Sequence, residues 1–126
     1  MTSLRLVIAI VDDEESVRRA IQRLIVSAGL EVEVFGAGEE FFKALELRQP
    51  DCVILDLHMP GMSGFEIQSR LIEGGHQIPV IVITGHDTPE SESRVLAAGA
   101  AAYLRKPVTS AVLLDAIMSA TGQNEP

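Results

Sequence analysis

Polar side chains that could do chemistry stand directly after apolar runs of the chain. The pair Asp12-Asp13, Asp56 and Thr84 each follow such a run, and Lys106 comes shortly after the last one. If the runs are strands of one parallel sheet, their carboxyl ends share the edge where such sheets bind ligands. We therefore expect three carboxylates, a hydroxyl and an ammonium group to meet at one site.

The predicted chemistry of this site is phosphoryl transfer to an aspartate. Three neighbouring carboxylates repel one another, so the site needs a cation to be stable. An all-oxygen ligand set favours Mg²⁺, which typically binds one or two carboxylates and keeps its other positions for water and phosphate oxygens. Asp56 could attack phosphorus if the charge on the transferred group is offset, and the Lys106 ammonium and the Thr84 hydroxyl can contribute to that offset.

Short apolar runs alternate with longer segments of helical period, which is typical of βαβ units around a parallel sheet. Five strands are predicted, at residues 6–11, 31–35, 52–55, 80–83 and 102–104. The first, third and fourth are apolar at every position, so we expect central strands covered on both faces. The second alternates between polar and apolar residues, which favours an edge strand with one face in water. The predicted fold class is α/β, with five strand and helix pairs.

Capping signals mark the ends of several predicted helices. Gly29 is expected to end the first helix in the left-handed conformation. The segment Ser63-Gly64-Phe65-Glu66 has the form of a capping box, and Thr88-Pro89 places a cap before a proline in the first helical turn. The last helix is predicted at about residues 110–120. We also expect Asp13 to cap the first helix in addition to binding metal.

Size and charge restrict the classes of function. The 126 residues fit one domain, predicted over residues 1–121, with a polar tail or the start of a linker over 122–126. The net charge of −8 disfavours direct contact with nucleic acid or anionic membranes. Cys52 is the chain's one cysteine and allows no internal disulfide, and the apolar run 6–11 is too short to cross a bilayer. The sequence predicts a soluble cytoplasmic protein.

Four segments together resemble the response regulator receiver family of two-component systems. They are Val11-Asp12-Asp13-Glu14, residues 56–64, Ile83-Thr84-Gly85 and Lys106-Pro107. They occur in the family's order and spacing, and the resemblance covers essentially the whole chain. It implies a doubly wound, flavodoxin-like (βα)5 fold with strand order 2-1-3-4-5. The likeness is greatest to receivers of nitrogen-fixation and LuxR-type transcriptional regulators, although Val108-Thr109-Ser110 replaces the aromatic and acidic residues common there.

The resemblance also implies a role for the acidic residues and for their partners. Asp56 is the phosphoacceptor, and Asp12, Asp13 and Asp56 hold Mg²⁺ together with the backbone carbonyl of His58. The donor is the phosphohistidine of a sensor histidine kinase. DNA is contacted only through a separate output domain, if one exists, and no membrane is involved.

A second group of residues is implied in the response to phosphorylation. Thr84 and Lys106 contact the phosphoryl group, and the peptide bond between Lys106 and Pro107 is cis. Thr84 moves towards the phosphoryl group, and the Tyr103 ring turns into the space that this opens. The face made by the fourth helix, fifth strand and fifth helix then changes shape, which predicts a phosphorylation-dependent homodimer or another output partner.

Two histidines are placed unusually close to the predicted site. His58 follows Asp56 by two residues, and His86 follows Thr84 by two residues. One interpretation is that both flank the path of water and set the rate of self-dephosphorylation; the other is that they are solvated loop residues. Because imidazole also binds softer divalent metals, the pair is in addition a candidate for capturing Zn²⁺.

Two other functions share parts of the pattern. A phosphatase of the haloacid dehalogenase kind also uses an aspartyl nucleophile with Mg²⁺, but it places a second aspartate where this chain has His58. A flavodoxin-like FMN-binding module needs a hydroxyl- and amide-rich loop after the first strand, where Asp12-Asp13-Glu14-Glu15 would repel phosphate. A dinucleotide site would need G-x-G-x-x-G at that place, and the motif is absent from the sequence. The favoured interpretation is a regulatory phosphoacceptor and not an enzyme acting on a separate substrate.

Overall fold

Strands and helices alternate along the whole of the described chain. The computed structural model describes residues 5–122. Its elements are β1 (Val7–Val11), α1 (Glu15–Ser27), β2 (Glu31–Phe35), α2 (Gly38–Leu45), β3 (Cys52–Asp56), α3 (Gly64–Glu73), β4 (Val80–Thr84), α4 (Pro89–Ala97), β5 (Ala102–Arg105) and α5 (Ser110–Ala120). All five predicted strands are present, and their bounds differ from the prediction by at most one residue at either end.

The five strands form one parallel sheet in the order β2-β1-β3-β4-β5, which confirms the predicted doubly wound α/β fold. Strands β1, β3 and β4 are buried at every position, as their all-apolar sequences indicate. β2 lies at an edge of the sheet, as its alternating sequence predicts. No residue of β2 is buried, and Val34 is 40% exposed. The helices α1 and α2 contact both β1 and β2, so they cover the edge strand only in part.

Helices on both faces of the sheet complete the core. One face packs against α2, α3 and α4, whose buried apolar residues are Phe41, Ile67, Leu71 and Val95. The other face packs against α1 and α5, whose buried apolar residues are Ile21, Ile25, Leu113 and Ile117. Each such side chain stabilises the fold by about 1.5–3 kcal/mol relative to an exposed position. This two-sided burial fixes which strand ends meet at the carboxyl edge.

Three of the predicted helix ends are found where the capping signals place them. Gly29 follows α1 with a φ of 86°, a conformation that glycine adopts without strain. The Ser63 hydroxyl accepts a hydrogen bond from the Glu66 N–H at the start of α3. The Thr88 hydroxyl accepts one from the Ser91 N–H at the start of α4, with a proline in its first turn.

The predicted cap on α1 is wrong. The residue before the first helical turn is Glu14, not Asp13, and its side chain makes no capping hydrogen bond. The reason is that Glu14 is still extended, with φ −89° and ψ 113°, and its N–H donates to Asp12 Oδ1 at 2.9 Å, so the helix begins one residue later than a cap at Asp13 requires. Asp13 is therefore exposed at the edge of the sheet and free of a capping role.

Gly64 is the glycine that the fold requires most strictly. A Cβ on this residue would lie 2.5 Å from the Asp56 carbonyl oxygen and 2.9 Å from the Leu57 Cα. The Gly64 N–H donates to the Leu57 carbonyl at 3.0 Å, which holds the two segments in contact. The start of α3 is thus packed directly against the backbone that carries Asp56.

Helix α5 ends close to the predicted boundary of the domain. The predicted boundary at residue 121 falls just after α5, and residues 123–126 of the predicted tail lie outside the described residues. Among residues 5–122, every helix is too short or too polar to span a membrane.

Candidate functional site

Three aspartates meet at the carboxyl edge of the sheet. Asp12 follows β1 and Asp56 ends β3, and these two strands are neighbours in the sheet. Asp12 is 3% exposed and Asp56 is 6% exposed, whereas Asp13 lies at the surface. One carboxylate oxygen from each of the three lies within 4.8 Å of the others. The structure therefore gathers the acidic cluster that the strand ends predict.

The Asp12 carboxylate is held in one orientation by the surrounding backbone. The backbone N–H of Asp12 donates to the Phe35 carbonyl at 3.1 Å, and the backbone carbonyl of Asp12 accepts from the Arg18 guanidinium at 2.7 Å. Because Oδ1 is bonded to the Glu14 N–H, the second oxygen, Oδ2, is directed towards the cluster. Nothing in the local sequence indicates the contribution of Arg18.

Lys106 reaches the two buried aspartates from the end of β5. Its Nζ lies 3.1 Å from Asp12 Oδ2 and 3.4 Å from Asp56 Oδ1. Its N–H donates to the Thr84 carbonyl at 2.9 Å, and the peptide bond that joins it to Pro107 is cis. With its side chain only 19% exposed, the ammonium group is a fixed part of the cluster and not a solvated surface charge.

The charges in the cluster shift the acid–base behaviour of two members. Burial, together with the neighbouring charge of Asp12, raises the pKa of Asp56, and the attraction of Lys106 offsets this only in part. Burial alone would lower the pKa of Lys106, but the charges and hydrogen bonds of Asp12 and Asp56 outweigh it, so that pKa is raised. The cluster thus contains a firmly protonated lysine beside a carboxylate whose ionised form is disfavoured by the fold.

Thr84 ends β4, the strand next to β3. Asp56 pairs in register with Ile83, so Thr84 lies one residue beyond the level of Asp56 on the adjacent strand. Its side chain is 1% exposed, and its Oγ1 accepts a hydrogen bond from the His86 N–H at 3.0 Å. The hydroxyl is thereby tied to the loop that follows β4.

Tyr103 belongs to a hydrogen-bonded network that the sequence did not reveal. The ring is buried, and its hydroxyl donates to Asp87 Oδ1 at 2.8 Å. Arg105 Nε donates to the other oxygen of Asp87 at 2.6 Å, and its Nη2 donates to Glu92 at 3.1 Å. These bonds connect β5 to the loop after β4 and to α4. Asp87 was missed because its partners are fixed by the β4–β5 register and not by local sequence.

The two histidines named from the sequence are neighbours on the loops that follow β3 and β4. His58 and His86 are both exposed, and their ring centroids are 5.3 Å apart with the planes at 81°. His58 also borders the Phe65 ring, at 6.4 Å between centroids. The loops after β3 and β4 thus bring both imidazoles together.

A family model for the response regulator receiver domain matches residues 8–118. The chain belongs to this family. It is a receiver domain of a two-component response regulator, a phosphoacceptor signalling switch.

Known proteins similar to the receiver agree with this assignment. Response regulator protein TodT of Pseudomonas putida is 40% identical over 114 residues, which are 90% of this chain and 50% of that protein. Nodulation protein W of Bradyrhizobium diazoefficiens is 36% identical over 119 residues, 94% of this chain and 52% of that protein. A receiver structure from Burkholderia phymatum is 42% identical, with a TM-score of 0.85 over 97% of this chain and 99% of that chain. The receiver spans about half the length of the two curated relatives.

We expect the replacement Asp56→Asn to raise the free energy of unfolding of the receiver by about 1 kcal/mol in the absence of divalent ions, since it removes a buried charge whose ionised form is disfavoured. Urea denaturation in EDTA at neutral pH measures the change. Asp115→Asn, at an exposed position of α5, is the control and should leave stability nearly unchanged. A loss of stability in Asp56→Asn would contradict the electrostatic account of the cluster.

The titration of Tyr103 tests the network around Asp87. Burial, and then the hydrogen bond to Asp87 and its charge, raise the pKa of Tyr103 to about 12. In Asp87→Asn we expect a lower pKa, because the phenolate no longer faces a negative charge, but one still above the ordinary value of about 10, because burial persists. Tyr103 is the chain's only tyrosine, so its ultraviolet absorbance can be titrated directly.

Glu92→Gln is the matched control for this titration, since Glu92 contacts Arg105 and not the tyrosine. Its Tyr103 pKa should equal that of the wild-type receiver. Circular dichroism at each pH shows whether the chain is still folded. Identical pKa values in Asp87→Asn and wild type would rule out the influence of Asp87.

Proposed function

We propose that Asp56 accepts a phosphoryl group from the phosphohistidine of a sensor histidine kinase. The single observation that supports this most is the position of Asp56: a carboxylate that is 6% exposed at the end of a central strand, with an ammonium group 3.4 Å away. Folding gains nothing from a disfavoured buried carboxylate, whereas phosphoryl transfer needs a nucleophile with positive charge beside it.

The chain's own residues divide the work of the transfer. An Asp56 oxygen attacks phosphorus, the bond from phosphorus to the histidine nitrogen of the kinase breaks, and an acyl phosphate is formed. The Lys106 ammonium group offsets negative charge on the phosphoryl oxygens, and the Thr84 hydroxyl donates to one of them. The raised pKa of Lys106 suits this role, because the group keeps its charge throughout.

The acidic cluster fits Mg²⁺. Its donors are carboxylate oxygens within 4.8 Å of one another, and hard oxygen ligands are what this ion prefers. Asp12, Asp13 and Asp56 would hold it, together with the backbone carbonyl of His58. When bound, the ion supplies positive charge to the acidic cluster and to the phosphoryl oxygens.

Phosphorylation at this site changes the position of Thr84 and the surface formed by β5, α4 and α5. We propose that Thr84 moves towards the phosphoryl group and gives up the hydrogen bond from the His86 N–H. The Tyr103 ring, already buried and bonded to Asp87, is then held in the space behind it. Strand β5 and helices α4 and α5 form the surface that responds. His58 and His86 flank the path of water and set the lifetime of the acyl phosphate.

The partners of the receiver follow from this proposal. An open groove of about 500 Å³ runs beside Lys106, lined mainly by apolar residues of α1 and of the segment after β5. It offers a contact surface for the kinase domain that presents the phosphohistidine. An output domain, where one is attached, would contact DNA.

We assign residues 1–121 to the receiver and residues 122–126 to a tail or the start of a linker. We also propose a cytoplasmic location, which the buried free thiol of Cys52 supports.

The phosphatase alternative has less support. A haloacid dehalogenase site requires a second aspartate two residues after the nucleophile, and this position holds His58, whose ring is exposed. We therefore retain the switch as the proposed function, with self-phosphorylation and self-dephosphorylation as its only chemistry.

Incubation with acetyl phosphate and Mg²⁺ tests the phosphoacceptor. We expect intact-mass spectrometry to show one added phosphoryl group on the wild-type receiver and none on Asp56→Asn. Lys106→Ala should be labelled roughly 10²-fold more slowly, since it loses a charged donor to the transferring group. Asp115→Asn is the control and should match the wild type. Equal labelling of Asp56→Asn and wild type would exclude Asp56 as the acceptor.

Sedimentation velocity tests the output surface. We expect the phosphorylated receiver to form a dimer that the unphosphorylated receiver does not form at the same concentration. Leu96 of α4 and Val112 of α5 are 45% and 48% exposed, so each offers apolar surface to such a contact. Val112→Asp should therefore weaken the dimer, whereas Val26→Asp on α1 should not. A phosphorylated receiver that sediments as a monomer would contradict the proposal.

A further inference from the structure

The rings of His58 and His86 form a pair that the transfer of a phosphoryl group to Asp56 does not require. Their rings come from two different loops, after β3 and after β4, and meet with centroids 5.3 Å apart. Both rings are exposed, so their nitrogens are accessible to solutes. Packing does not account for the meeting, because exposed rings on separate loops gain little from it.

We propose that His58 and His86 together bind a divalent transition metal ion, Zn²⁺ in the first place. Two imidazoles that share a tetrahedral zinc ion, each with a bond of about 2.0–2.1 Å, have ring centres about 5 Å apart. The observed separation of 5.3 Å therefore needs only rotation of the side chains and no movement of the loops. Water completes the coordination.

The chemistry of the pair separates it from the acidic cluster. Imidazole nitrogens favour Zn²⁺, Cu²⁺ and Ni²⁺, whereas carboxylate and carbonyl oxygens favour Mg²⁺. The charge of the surroundings is suitable for a cation, since three aspartates lie at the same edge and the whole chain carries −8. Two positive charges lie in the same region: Arg94, 4.0 Å above the Phe65 ring that His58 borders, and Lys106, whose ammonium group is paired with Asp12 and Asp56.

A metal ion held by both rings ties the loop after β3 to the loop after β4. These loops follow Asp56 and Thr84 directly, so the tie narrows the opening to both residues. This consequence rests on the proposed function: with zinc bound, the transfer of a phosphoryl group to Asp56 slows. The receiver would then respond to a transition metal in addition to its kinase.

Calorimetric titration with Zn²⁺, in the presence of saturating Mg²⁺, tests the binding site. We expect one zinc ion per wild-type receiver and an affinity at least about tenfold lower in His58→Ala and in His86→Ala, since even the loss of a second-sphere partner costs that much. His76→Ala removes the chain's third histidine and should match the wild type. Equal affinities in the wild type and the double variant, or zinc that Mg²⁺ displaces, would overturn the site.

The rate of labelling by acetyl phosphate, with and without Zn²⁺, tests the effect on Asp56. We expect zinc to slow the wild type and His76→Ala several-fold and to leave the rate of the His58→Ala, His86→Ala double variant unchanged. Zinc that binds through both histidines without slowing the wild type would contradict the tie between the loops. A wild type that is not labelled even without zinc would refute the proposed function, while the calorimetry would still decide the metal site.

Discussion

Repulsion between the buried carboxylates of Asp12 and Asp56 is the constraint on which the rest of this receiver depends. Two nearly unexposed acids on adjacent strand ends are tolerable only with positive charge between them, and the Lys106 ammonium provides it at 3.1 and 3.4 Å. The lysine has to come from β5, across the end of β4. A Cβ on Gly85 would lie 3.5 Å from Lys106 Cδ, so the lysine stem passes over this residue in van der Waals contact.

The burial of the central strands holds the two aspartates in position. β1, β3 and β4 are covered on both faces, so none of the three can shift relative to the others without exposing apolar surface. Hydrophobic burial therefore fixes the positions of the two acids, and the ion pairs with Lys106 offset the repulsion between them. The aspartates lie at the ends of well-packed strands, which is why a site with unfavourable electrostatics can be accurately positioned.

The sequence predicts those parts of the structure that depend on local pattern. All-apolar runs identify the central strands, and because parallel strands end at one edge, the meeting of Asp12, Asp56 and Lys106 follows from their positions after the runs. Contacts between segments that are distant in the sequence cannot be predicted from local pattern. The bond of Tyr103 to Asp87 depends on which residues β4 and β5 bring side by side, and the start of α1 depends on the extended conformation of Glu14, whose N–H is bonded to Asp12.

The close contact of Gly64 with the Asp56 backbone makes the two sides of the pocket unequal. On the α3 side, the backbone of Gly64 contacts the backbone of Asp56 and Leu57, so the rotation of a side chain cannot relieve this contact. On the β4 side, the loop is joined to its neighbours chiefly through rotatable groups such as Asp87 and Arg105. Side chains can therefore rotate more freely at the edge of the site that faces α4 and β5 than at the edge that faces α3.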